Sequence, residues 1–210
     1  LPVAPLALFF AVFVLMPLVL LGFVSLHNDM DMKVAGGAQY AKFLGDAFNL
    51  GVLGETLWLA LRATVLALLI GYPLAYAYTL APRGAQRVLI LLIVLPMLTS
   101  AVVRTFAWVV ILGRQGIVNE VLLGLGWIAT PAKLLYTPTA VVVALAQIEL
   151  PLMVLPLITA LSNIPPALRE ASLSLGAGRW RTFFLVTVPL SMPGLVAGCL
   201  LVFAAAASAF

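Results

Sequence analysis

The sequence predicts an all-α membrane protein with five spans in view. Of its 210 residues, 64% are hydrophobic and only 9% carry a charge. The mean hydropathy is +1.21, so the apolar residues exceed what one water-soluble core could bury and the surplus must face lipid. Long windows contain no charge at all, and each reaches the roughly 20 apolar residues that cross about 30 Å of hydrocarbon.

The first run extends from about residue 6 to 26. It is too long for a signal-peptide core and no small-residue cleavage site follows it, so it reads as a retained helix. His27, Asn28, Asp29, Asp31 and Lys33 then open a polar connection that reaches Glu55. Span two, residues 56–80, carries one charge, Arg62, and ends at the turn Ala81-Pro82-Arg83-Gly84. Span three is expected at 88–112. Residues 113–138 contain Arg114, Glu120, Lys133, glycines and prolines around an apolar patch at 121–125, which predicts a loop with a short interfacial helix. Span four, 139–161, includes Glu149, Pro151 and Pro156; prolines are tolerated in a membrane helix where neighbours re-satisfy the backbone. Residues 162–182 are polar, and span five begins near Phe183 and is still apolar at Phe210. The whole is expected to form one transmembrane domain.

The net charge of +4 is a topology signal, because the basic residues sit in short connections between apolar runs; nucleic acid is not an expected partner. Connections after spans two and four hold Arg83, Arg87, Arg169, Arg179 and Arg181 against Glu170 alone. Those after spans one and three hold Lys33, Lys42, Arg114 and Lys133 diluted by five acidic residues, Asp29, Asp31, Asp46, Glu55 and Glu120. The positive-inside rule therefore places 81–87, 162–182 and the N-terminus in the cytoplasm. Cys199 is the only cysteine, so no disulfide framework or cysteine-built metal site is available.

Within the second cytoplasmic connection, residues 162–176 read as a short capped helix: Ser162 or Asn163 as cap, Pro165 and Pro166 in the first turn and Gly176 at the exit. Leu168, Ala171 and Leu175 fall on one face, with Arg169 and Glu170 off it. So short a helix has little stability alone in water and needs a surface to dock on. Glu170-Ala171-Ser172, then Gly176, Phe183 or Phe184, and Pro189 closely resemble the EAA motif of the inner-membrane permeases of bacterial ABC importers. The third position is Ser172 where that family usually has alanine. The resemblance covers most of the chain and sharpens towards the spermidine/putrescine branch through Gly71-Tyr72-Pro73-Leu74-Ala75-Tyr76, Val103-Arg104-Thr105-Phe106-Ala107-Trp108, the prolines at 151 and 156, and Pro189-Leu190-Ser191-Met192-Pro193-Gly194.

That resemblance implies the type I ABC-importer permease fold, with a sixth span expected beyond Phe210. It implies that Leu168, Glu170, Ala171, Ser172 and Gly176 form the coupling segment docking in a cytoplasmic ATPase subunit, Gly176 making the sharp turn. It further implies two such ATPase subunits, a second related permease and a periplasmic solute-binding protein as partners, in a bacterial inner membrane. An ordinary basic loop is the simpler account of 162–182, but the joint spacing and the position between two spans go beyond it.

Arg62, Arg104 and Glu149 lie inside apolar runs, where an unpaired charge is costly, so each is a candidate for a translocation path or gate. Glu149, near the middle of span four, is the best placed to meet a cationic solute; an interhelical ion pair with Arg104 or Arg62 is the structural alternative. Trp127 and Trp180 are read as headgroup-level anchors, and His27 as an interfacial residue. No GxxxxGK[ST] loop occurs in the chain, so no cofactor is expected here and ATP-Mg belongs to the partner ATPase. The chain is therefore expected to be a transporter subunit and not an enzyme. An ion- or proton-coupled carrier using the three embedded charges is the competing class, and polyamine, opine and amino-acid-like solutes stay open.

Overall fold

The computed structural model describes residues 4–27 and 36–209. Asn28, Asp29, Asp31, Lys33 and Phe210 of the sequence reading lie outside them. The chain divides into two compact units, Leu1–Glu55 and Thr56–Phe210.

In the first unit, α1 (Ala4–Phe10) passes through a π-helical turn (Ala11–Leu15) into α2 (Met16–Ser25). Apart from Ser25, which is half-buried, the side chains described along this stretch are exposed, and at 1.5 Å per residue it is about 33 Å long. A helix apolar all round is a membrane span. The π turn has a local cause in Pro17, which offers no N–H and whose ring would strike the carbonyl four residues back. Widening the turn relieves this, and the Met16 N–H reaches Ala11 O instead. Helix α3 (Ala38–Gly45) follows, tied to α2 by Tyr40 Oη donating to Ser25 Oγ at 2.7 Å.

Helix α4 (Ala47–Leu80) has 34 residues. It begins nine residues before the expected span of 56–80, because Asp46 caps it: Asp46 Oδ1 accepts from the Phe48 N–H at 3.0 Å. Helices α5 (Arg83–Leu98) and α6 (Ala101–Leu112) follow. Residues 88–112 are thus not one helix. Thr99 and Ser100 are extended, and the stretch long and apolar enough to cross is Ala101–Gly124, which includes α7 (Ile117–Gly124) beyond the Gly113–Gly116 turn. The break follows Pro96, whose carbonyl takes the Thr99 hydroxyl at 2.7 Å. Arg104 donates to Thr99 O at 3.4 Å, so the carbonyls freed by the break find partners, as an apolar environment demands.

Helix α8 (Pro138–Ser162) starts at Thr137, whose hydroxyl accepts from the Ala140 N–H at 3.2 Å. Helices α9 (Pro166–Ser174) and α10 (Arg179–Thr182) lead through a second π turn (Phe183–Thr187) into α11 (Val188–Ala207). This π turn also precedes a proline, Pro189, and Val188 N–H reaches Phe183 O. Among the described residues five stretches are long and apolar enough to span: Leu8–Ser25, Ala47–Leu80, Ala101–Gly124, Pro138–Ser162 and Arg179–Ala207. The fold is all-α, as the sequence predicts.

The core of the second unit is α8. Met153, Val154, Leu157 and Leu161 are at most 1% exposed. Buried residues, most of them small, line α8 from both sides: Ala67, Gly71 and Ala75 of α4 and Ser191, Gly194, Gly198 and Val202 of α11 along this stretch, with Ala60 and Ala63 of α4 and Ala206 of α11 packed around Leu145 nearer its start. The three- and four-residue spacing keeps each set on one helix face. The approach is close, since a Cβ on Gly198 would lie 3.0 Å from Met153 O, and one on Gly194 would strike the Ala160 Cβ and lie 2.7 Å from Pro156 O. Cys199 packs beside this core. Gly194→Val is expected to destabilise the protein by about 1–3 kcal/mol through overpacking, read as a lowered unfolding midpoint in detergent. Gly84→Ala, where an added Cβ meets open space, should leave the midpoint unchanged.

Candidate functional site

Helix α9 begins at Pro166 with Pro165 extended before it and no side-chain cap. Neither Ser162 nor Asn163 is the N-cap that the sequence suggests; Ser162 ends α8 and Asn163 is its C-cap. The cause is Pro165, which pushes the preceding residue out of the helical region and separates the two helices. At the other end, Gly176 adopts φ +83°, Gly176 N–H donates to Leu173 O at 3.0 Å and Ala177 N–H to Ser172 O at 3.1 Å. This pair of bonds is a Schellman closure, which favours glycine at the left-handed position. The sharp turn expected of Gly176 is therefore present.

The helix has two faces of opposite character. Leu168 is 43% and Leu175 88% exposed, and Glu170 and Ala171 are exposed beside them. The face towards the rest of the chain carries Arg169 and Ser172, one turn apart. The Arg169 guanidinium lies over the Tyr76 ring of α4, 5.5 Å from its centroid. The hydroxyls of Ser172 and Thr182 are 2.9 Å apart, and Thr182 is buried. Ser172, in the position usual for alanine, thus anchors α9 to α10. Arg169 was not singled out by the sequence reading, which saw only a charge off the apolar face; its i, i+3 relation to Ser172 is the signal that marks the inward side.

Aromatic rings continue inward from Arg169. Phe183, first residue of the second π turn, meets Tyr76 edge-on at 5.0 Å and Tyr72 at 5.8 Å. Tyr72 Oη lies 2.9 Å from Ser191 Oγ. Because Ser191 donates its own proton to Val188 O, the tyrosine is the donor of that bond. Trp180 is 77% exposed and stacks on Phe184.

The two arginine-bearing connections meet at one end of this unit. Gln86 Nε2 donates to Tyr78 O at 3.2 Å, and a cleft of about 350 Å³ is lined by Thr79 and Gln86 from one side and Leu161, Ile164, Arg169 and Glu170 from the other. Residues 81–87 and 162–182 therefore share a side, as the positive-inside count requires.

The embedded charges separate into two places. Arg62 stacks on Trp58 of its own helix at 4.7 Å and borders an otherwise apolar cleft of about 580 Å³ with Val65, Thr139 and Val142. Arg104 borders another, about 340 Å³, with Thr105, Trp108, Ala144 and Ile148. Glu149 is half-buried midway along α8. Arg62 thus stays with Trp58 of its own helix, and Arg104 with the Thr99 carbonyl.

No protein-family model matches the chain. It is 40% identical over 163 residues, 78% of its length, to the spermidine/putrescine transport system permease protein PotB of Salmonella typhimurium (strain SL1344). To PotB of Escherichia coli (strain K12) it is 39% identical over 163 residues. The chain spans 56% and 59% of the length of these two relatives. Among solved structures it resembles a bacterial ABC transporter involved in the import of the acidic polysaccharide alginate, with a TM-score of 0.65, 20% identity, and coverage of 91% of this chain and 66% of that one. At that identity the likeness is one of fold.

The geometry makes one prediction about stability. Thr182→Val strands the Ser172 hydroxyl in a partly buried position and should cost about 1–2 kcal/mol. The double variant Ser172→Ala/Thr182→Val should cost no more, and unfolding midpoints of the three purified proteins check both statements.

Proposed function

Over 78% of its length the chain is a homologue of ABC-importer permeases, and we propose that it is a permease subunit of an ATP-driven, binding-protein-dependent importer of a polyamine such as spermidine or putrescine. The observation that carries the coupling role is α9: a short helix between two spans, closed by Gly176, presenting Leu168, Glu170 and Ala171 outward at the end where the arginine-rich turns gather. The relatives' names supply the solute class.

In this reading the exposed face of α9 docks in a cytoplasmic ATPase subunit, one of two, which holds ATP-Mg and performs the hydrolysis; this chain is not itself an enzyme. The protein lies in the inner membrane with its N-terminus in the cytoplasm, pairs with a second related permease, and receives solute from a periplasmic binding protein. Closure of the ATPase pair displaces α9, and the bond of Ser172 to Thr182 carries that displacement towards α11. Glu149, the residue after Ile148 of the cleft that Arg104 borders, lines the path and attracts the cationic solute. A ligand shifts such an alternating equilibrium only as far as it binds one state better than the other, so the loaded binding protein must favour the state in which the ATPase closes.

The test is ATPase activity of the purified complex with and without binding protein loaded with putrescine or spermidine. Stimulation by the loaded form is expected; ATPase that copurifies but ignores polyamine would discard the solute class, and no copurifying ATPase would discard the importer. Glu170→Lys should abolish both copurification and transport, and unchanged values would remove Glu170 from the docking face. Glu149→Gln should lower polyamine uptake severalfold with the unfolding midpoint preserved; a lowered midpoint with normal uptake would make Glu149 a packing residue.

A further inference from the structure

Resting on the coupling role of α9, we propose that Arg169 is a positioning residue that carries the movement of α9 into the second span through a cation–π contact with Tyr76. Three observations meet here. The guanidinium sits 5.5 Å over the Tyr76 ring, within the range in which a cation is held by the ring face. Its Nε is buried without a hydrogen-bond partner, so on that edge it is the ring, and no acceptor, that orients the group. Tyr76 is in turn packed edge-on against Phe183 at 5.0 Å, and Thr182, next to Phe183, bonds to Ser172 of α9 at 2.9 Å.

Helix α9 is thereby held at two points one turn apart, by Ser172 to the start of the last span and by Arg169 to α4. A single anchor would let α9 pivot about the Ser172–Thr182 bond when its outer face is pushed. The second contact suppresses the pivot, so a push on Leu168 or Glu170 moves α4 as well as α11. The π turn Phe183–Thr187 lies where the two routes join, continuous with α11. The contact is also breakable, because an unpartnered Nε contributes no directional bond to be lost.

The experiment uses the full complex in liposomes, with its ATPase subunits, partner permease and putrescine-loaded binding protein. The readout is the ratio of stimulated to basal ATPase activity, alongside the amount of ATPase that copurifies. Arg169→Gln and Tyr76→Leu should each lower that ratio by about 3- to 10-fold at wild-type copurification. Tyr76→Phe, which keeps the ring face, should match wild type, and the double variant should be no worse than either single one. Should Tyr76→Leu fail to assemble, Arg169→Gln and Tyr76→Phe decide the matter between them. An unchanged ratio in Arg169→Gln, a loss in Tyr76→Phe, or additive losses in the double variant would overturn the proposal while leaving the importer standing. Absence of ATPase from the wild-type preparation would overturn the importer reading, and this role with it.

Discussion

Close approach of helices along α8 is the constraint on which the second unit depends. In lipid no hydrophobic force drives one apolar helix against another, so association relies on van der Waals packing between surfaces that fit. Here α8 supplies bulk, Met153, Val154, Leu157 and Leu161, while α4 and α11 supply rows of alanine, glycine and serine. The rows let backbones come near enough that an added Cβ at Gly194 or Gly198 meets a carbonyl of α8. With α4 and α11 both pressed to α8, Tyr76 and Phe183 come within ring contact, and the inner surface on which α9 rests is formed. The seat of α9 is a consequence of the packing, not a separate device.

Backbone satisfaction is the second constraint, and proline shows how it is met. Pro17 and Pro189 each follow a π turn, which replaces a forbidden bond with a longer one. Pro96 takes the other route: the helix ends, Thr99 and Arg104 occupy the freed carbonyls, and a new helix starts at Ala101. Arg104 thus has a structural task, completing the backbone bonding at the break.

Helix α9 has two sides of opposite character. Its inward residues, Arg169 and Ser172, are polar and contact Tyr76 and Thr182, whereas its apolar residues Leu168 and Leu175 are exposed. This inverts the usual amphipathic arrangement of a helix on a folded domain. The inversion is what the proposed docking of α9 on an ATPase subunit requires. It also explains why serine suits position 172, since only a hydroxyl there reaches Thr182.

Composition and spacing alone determined the membrane class, five apolar runs, the pairing of the two arginine-rich connections and the turn at Gly176, because hydropathy, charge count and the left-handed preference of glycine are local properties. Asp46 shows the limit of that reading: it is legible as a cap only once the chain beyond it is known to be helical, so the early start of α4 was hidden. The division of residues 88–112 at Thr99 depended on whether a neighbour could satisfy the backbone after Pro96, since Pro73, Pro151 and Pro156 interrupt nothing. Which side of α9 faces inward, and that Arg169 finds Tyr76 93 positions earlier in the chain, were decided by tertiary structure alone. Contacts of that kind follow from how helices pack across sequence distance, and no local pattern encodes them.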